Sequence, residues 1–115
     1  MATKKKEQEE GGVATQQKTE RKLARPKMYR VILHNDDFTT MEFVVALLIH
    51  VFHHDESNAN AIMMHIHRTG MGVAGVYTYE VAETKVAQVR ELAEKAEFPL
   101  LCTFEPDEQG SDDDQ

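Results

Sequence analysis

Apolar residues along this chain fall into two spacings, and the switches between them mark out the elements. Met28-Tyr29-Arg30-Val31-Ile32-Leu33 is short and rich in β-branched and aromatic residues, the signature of a strand. His34-Asn35-Asp36-Asp37 then ends it with turn-forming side chains. From Met41 the period changes: Met41, Val44, Val45, Leu48, Val51 and Phe52 follow the i, i+3, i+4, i+7 spacing of a buried helical face. Thr39-Thr40-Met41-Glu42 matches a capping box with Thr39 as the cap, flanked by Phe38 and Phe43 at staple positions. A cap of this kind contributes about 1 kcal/mol. The helix is expected to end near His53-His54.

Asp55-Glu56-Ser57-Asn58 reads as a second turn and cap. The next helix carries Ala59, Ile62, Met63 and Ile66 on one face, and Gly70 suits the left-handed position that closes it. Met71 to Tyr77 is strand-like, and its glycines point to close packing or a bulge. Thr78 can cap a third helix over 79–96, with Ala82, Val86, Val89, Ala93 and Ala96 inward and Glu91 and Lys95 paired on its surface. Phe98-Pro99 stops it, and Leu100-Leu101-Cys102-Thr103-Phe104-Glu105 is a third strand. The order β-α-α-β-α-β predicts a small α+β sandwich: a three-stranded antiparallel sheet with three helices packed on it.

Composition trims this picture at both ends. Of the 115 residues, 1–25 are mostly Lys, Glu, Gln, Gly and Thr and cannot bury enough surface to offset chain entropy. They are expected to form a disordered arm, with seven Lys and Arg against four Glu. Residues 26–105 make the core, and 106–115 a disordered acidic tail. The net charge of −7 and the lack of a basic stripe argue against nucleic-acid binding, which needs clustered Lys and Arg. The single cysteine, Cys102, excludes an internal disulfide and a cysteine-based zinc site and suits a reducing compartment. No secretory signal opens the chain and no apolar run is long enough to span a membrane. A soluble cytoplasmic monomer is the default expectation.

Three groups of residues could carry chemistry. Asn35-Asp36-Asp37 places one amide and two carboxylates at a strand–helix junction. Such a cluster commonly bonds local amides in a turn. It can equally accept hydrogen bonds from a cation, since an ammonium donates three. Histidines form the second group. His50, His53 and His54 close the first helix, while His65 and His67 flank Ile66. Metal binding through His50, His53 and His65 is an alternative, but spacing places no third ligand, and histidines near a helix C-terminus commonly complement its dipole. His67 stands at the border of the apolar and polar faces, where a neutral imidazole can accept a hydrogen bond beside a pocket. Met41, Met63, Met64 and Met71 are the third group, as core filler or as an adaptable pocket wall. No Ser-His or Cys-His pairing and no glycine-rich phosphate loop appears, so neither an enzyme nor a cofactor is expected.

Taken together, these segments resemble the ClpS family of adaptors that deliver N-degron substrates to the ClpA unfoldase and ClpP peptidase. The matching runs are 28–33 with Asn35-Asp36-Asp37-Phe38-Thr39, Met41-Glu42-Phe43-Val44, Gly75-Val76-Tyr77-Thr78, Glu80 to Ala87, and Pro99 to Thr103. The resemblance implies that Asn35, Asp36 and His67 hold a substrate's α-amino group and first peptide unit. It implies a pocket of Thr39, Met41, Val44, Met63, Ile66 and Leu100 for the first side chain, with Met41 as a gate against β-branched residues. Leu, Phe, Tyr and Trp would be accepted. Glu80 and Lys85 would dock on the ClpA N-terminal domain, and the arm of residues 1–25 would also engage ClpA. Thr40 departs from the family, which often has Pro there. Two alternatives stand beside this: an interaction module without amine recognition, and a small histidine-based metal-binding protein.

Overall fold

The computed structural model describes residues 26–107. The expected arm, and the acidic tail beyond Asp107, lie outside these residues. Strand β1 (Met28–His34) is followed by helices α1 (Met41–His50) and α2 (Glu56–Thr69), strand β2 (Met71–Thr78), helix α3 (Tyr79–Ala96) and strand β3 (Leu101–Pro106). The sheet runs β2-β1-β3, with both pairs antiparallel. The chain's first strand is therefore central, and its two later strands add to either side. This is the expected α+β architecture.

Alternation along β1 sets the layers. Val31 and Leu33 are fully buried and join the core with Val44, Leu47, Leu48, Met63, Ile66, Val89 and Cys102. Ile32 points to the opposite face, flanked by its register partners Val73 and Thr103. On α3 the inward side chains are Ala82, Val86, Val89 and Ala93, as its period predicts. Ala96 is exposed, because the helix closes one residue later at Glu97, in the left-handed region at φ 63°. The register slips between Val31 and Ile32, opposite Gly75 and Val73, leaving Ala74 as the extra residue of a bulge. The His54 ring anchors that bulge, its Nε2 donating to the Ala74 carbonyl at 2.6 Å.

Several local expectations shift. The cap of α1 is Thr40, not Thr39: the Thr40 hydroxyl accepts from the Phe43 amide at 3.1 Å. The staple does not form, since Phe38 is 75% exposed and Phe43 packs edge-on against Phe98 at 5.0 Å. Helix α1 ends at His50, short of His53, and the chain turns through a left-handed His53 at φ 65°. Helix α2 begins and ends as expected, with the Asp55 side chain accepting from Asn58 and Gly70 at φ 104°. Thr78 occupies the cap position of α3 without a side-chain hydrogen bond. The Glu91–Lys95 pair forms at 3.5 Å, fully on the surface. Among the described residues, no helix is long and apolar enough to cross a membrane.

Candidate functional site

The end of β1 and the end of α2 meet through one backbone hydrogen bond, from the Asn35 amide to the Gly70 carbonyl at 2.8 Å. Gly70 can present that carbonyl because its positive φ turns the chain sharply out of α2. Within one turn upstream stands His67. Two residues remote in sequence, Asn35 and His67, are thus brought to the same place.

Between them opens a cavity of about 270 Å³, lined by Asn35, Asp36, Asp37, Thr39, Met41, Val44, Met63, Ile66 and His67. Sites that enclose drug-sized molecules run to roughly 300–1,000 Å³, so this one suits a single amino-acid side chain. Its chemistry is divided. The loop after β1 and the last turn of α2 supply polar groups, while the facing sides of α1 and α2 supply Met41, Val44, Met63 and Ile66. Met63 is buried, whereas Met41 is 41% exposed at the opening. Leu100 does not line the cavity. It is buried in the core behind it.

The two neighbouring carboxylates have different environments. Asp36 Oδ1 accepts from the amides of Phe38 at 2.8 Å and Thr39 at 2.7 Å. Asp36 Oδ2 accepts from the Thr39 hydroxyl at 2.8 Å. Partial burial pushes the Asp36 carboxyl up, but the Thr39 hydroxyl and the Thr39 and Phe38 amides outweigh it and hold the group below its ordinary value. Asp36, to which the family resemblance assigns a ligand role, is thus also engaged within its own loop. It builds the loop, because Thr40 takes over the helix cap and leaves Thr39 to bond the aspartate three residues back. Asp37 has no side-chain hydrogen bond or ion pair among the described residues. Neither have the side chains of Asn35 and His67. All three side chains are exposed, so water can satisfy them in the free protein, and together they offer acceptors around one cavity to the donors of a ligand.

The expected docking residues lie elsewhere. Glu80 is exposed in the first turn of α3. Lys85 is half-buried: its Nζ donates to the Val51 carbonyl at 2.7 Å and sits 5.6 Å from the Tyr77 ring centre. The ring contact is cation–π in character, so Lys85 also fastens the end of α1 to the sheet. The histidines do not assemble a metal centre: among the described residues no three His, Cys, Asp or Glu side chains gather as a coordinating group.

Comparison with known proteins is consistent with this frame. Residues 24–103 match the family model described as ATP-dependent Clp protease adaptor protein ClpS. A ClpS adapter from Myxococcus xanthus is 48% identical over 103 residues, covering 90% of this chain and 96% of the relative. One from Lawsonia intracellularis is 56% identical over 84 residues, 73% of this chain and 77% of the relative. Among solved structures, Agrobacterium tumefaciens ClpS2 bound to L-phenylalaninamide superposes with a TM-score of 0.69 at 43% identity, covering 72% of this chain and all of that one. With its fold and most of its length matched in this way, the chain belongs to the ClpS family of Clp protease adaptors, which are not enzymes.

Proposed function

We propose that this adaptor binds proteins through a bulky hydrophobic N-terminal residue (Leu, Phe, Tyr or Trp) and hands them to the ClpA unfoldase for degradation by ClpP. The observation that carries the proposal is the cavity itself, with three unengaged polar groups at its mouth and an apolar wall inside. A free N-terminal amine is largely protonated near neutral pH, with an ordinary pKa of about 7.7–8.0, and donates three hydrogen bonds. Asn35 and neutral His67 supply acceptors for it, and Asp37 supplies the full countercharge. Asp36, which also lines the cavity, builds the loop through three hydrogen bonds and keeps an acceptor site on Oδ2 for the amine. Burying a Leu or Phe side chain against Met41, Val44, Met63 and Ile66 adds about 1.5–3 kcal/mol. Gly or a polar first residue cannot gain that contribution. L-Phenylalaninamide, the molecule bound to the Agrobacterium relative, has this chemistry: a free α-amine beside a phenyl side chain.

Docking on the N-terminal domain of ClpA is assigned to Glu80 and Lys85 in the first half of α3, and the buried thiol of Cys102 suits action in the cytoplasm. The test is a peptide series that varies only the first residue, read by fluorescence anisotropy. Leu, Phe, Tyr and Trp peptides bind, Gly and Glu peptides do not, and acetylating the Leu peptide abolishes binding. Equal affinity for free and acetylated Leu peptides would overturn amine recognition. In the same assay Glu80→Arg leaves peptide binding intact while ClpA-dependent degradation of a Leu-led reporter falls. Unchanged degradation would remove Glu80 from the docking face.

A further inference from the structure

A second concavity lies between the end of α1 and the outer side of α3 and shares no residue with the first. It has a volume of about 390 Å³, and its walls include His50 and His53 on one side and Lys85, Glu91, Leu92 and Lys95 on the other. Two lysines against one glutamate leave the lining with an excess of one positive charge. Glu91 is the one acid in the lining and is matched by Lys95 at 3.5 Å. Lys85 donates one of its three N–H groups to Val51, which leaves two for another acceptor. The two imidazoles add further donors when protonated, and Leu92 offers a partly exposed apolar surface.

The acidic segment that the sequence sets apart has the complementary composition. Residues 108–115 read Glu-Gln-Gly-Ser-Asp-Asp-Asp-Gln, four acids and no base. Their starting point is fixed: the Asp107 amide donates to the Met28 carbonyl at 2.9 Å. At that end of the sheet Tyr79, the first residue of α3, packs against Tyr29 at 5.2 Å and Phe104 at 5.3 Å. The described chain therefore ends, at Asp107, at the end of the sheet beside the N-terminus of α3. Along the helix Lys85 lies about 9 Å beyond Tyr79 and Lys95 about 24 Å. An extended chain covers about 3.3 Å per residue, which carries Asp112 to Asp114 roughly 17–23 Å from Asp107. The acidic run and the basic groove overlap in reach.

We propose that the Asp112-Asp113-Asp114 run seats in this groove, between His50 and His53 on one wall and Lys85 and Lys95 on the other. Tethering keeps the segment at an effective concentration on the order of millimolar, so weak ion pairs are enough to populate the contact. The same pairs are screened by salt. Because Lys85 belongs to the groove, a seated segment shields a side chain assigned above to partner docking. The contact itself does not depend on that assignment.

The full chain carrying Ser111→Cys, with a nitroxide attached there, tests the proposal directly, since buried Cys102 is protected from the reagent. Amide NMR at low salt is expected to show broadening of the His50, His53, Leu92 and Lys95 resonances. The broadening fades at high salt, and it fades at low salt when Asp112→Asn, Asp113→Asn and Asp114→Asn are combined. Lys95→Glu, on an exposed position that the fold tolerates, weakens it as well. Broadening confined to Lys18 through Arg25 would mean that the acidic segment pairs with the basic arm, and would overturn the proposal. So would the absence of any salt-dependent broadening at the groove.

Discussion

Asp36 and Thr39 are tied by two hydrogen bonds, one from the Thr39 amide at 2.7 Å and one from its hydroxyl at 2.8 Å. That pairing ties one carboxylate of the Asn-Asp-Asp run into the architecture of the loop, while its neighbour Asp37 lines the same cavity without a side-chain hydrogen bond among the described residues. It also lets Thr40, rather than Thr39, cap α1.

The two aspartates should separate experimentally. Asp37→Asn preserves shape and removes charge, so the melting temperature stays close to that of the parent while affinity for a Leu-led peptide drops about tenfold or more, the scale of one charge-assisted hydrogen bond. Asp36→Ala deletes three loop hydrogen bonds and lowers stability by about 1–3 kcal/mol, taking binding down with it. Thermal unfolding and anisotropy on both variants check this. Full binding by Asp37→Asn alongside its loss in a well-folded Asp36→Asn would return the countercharge to Asp36.

Acid should weaken the loop in a defined direction. The Asp36 carboxyl is held below its ordinary value of 3.8, so the folded state binds its proton less readily than the unfolded state does. The stabilisation is complete above the unfolded value and disappears as pH falls through the lower, folded one. Urea unfolding below pH 4 should therefore fall more steeply for the parent than for Asp36→Asn. Parallel curves for the two proteins would show that the Thr39 and Phe38 bonds add nothing.

Cys102 gives the opposite limb. Burial pushes its thiol from 9.0 up to about 12, with the Arg90 charge pulling slightly the other way. Between those values the unfolded chain has lost a proton that the folded chain keeps, so stability falls as pH rises above about 9 by up to 1.36 kcal/mol per pH unit. The difference between parent and Cys102→Val in alkaline urea unfolding reads this contribution alone. In the native state the thiol should react with a disulfide reagent only as fast as the protein unfolds.

Met41 stands where a gate on the entering side chain is expected. Half-exposed at the opening while Met63 and Ile66 are buried beneath it, it can crowd a substituent on the β-carbon without touching a Leu or Phe that branches farther out. Met41→Ala is expected to admit Ile- and Val-led peptides while keeping Leu and Phe within severalfold of the parent. Anisotropy with the four peptides measures it. Continued exclusion of Ile and Val would place the gate elsewhere.

Much of this molecule is legible in its sequence because much of it is local. The inward faces of α2 and α3 follow from side-chain period, the end of α2 from a residue that accepts positive φ, and the bulge in β2 from a strand with glycines. The resemblance to ClpS is equally local, since it rests on contiguous runs. Tertiary structure decided what local chemistry leaves degenerate. Asp36 and Asp37, like Thr39 and Thr40, are adjacent residues of the same type, and only the folded loop selects which aspartate bonds the loop and which threonine caps α1. Phe43 left its expected partner Phe38 for Phe98, which no local pattern brings near. Leu100, just before β3, is buried in the core and is not among the residues that line the cavity. Above all, the meeting of Asn35 with His67 required α2 to fold back until Gly70 could accept the Asn35 amide. Periodicity tells which side of an element faces inward, but which remote residue it meets there is set only when the elements pack.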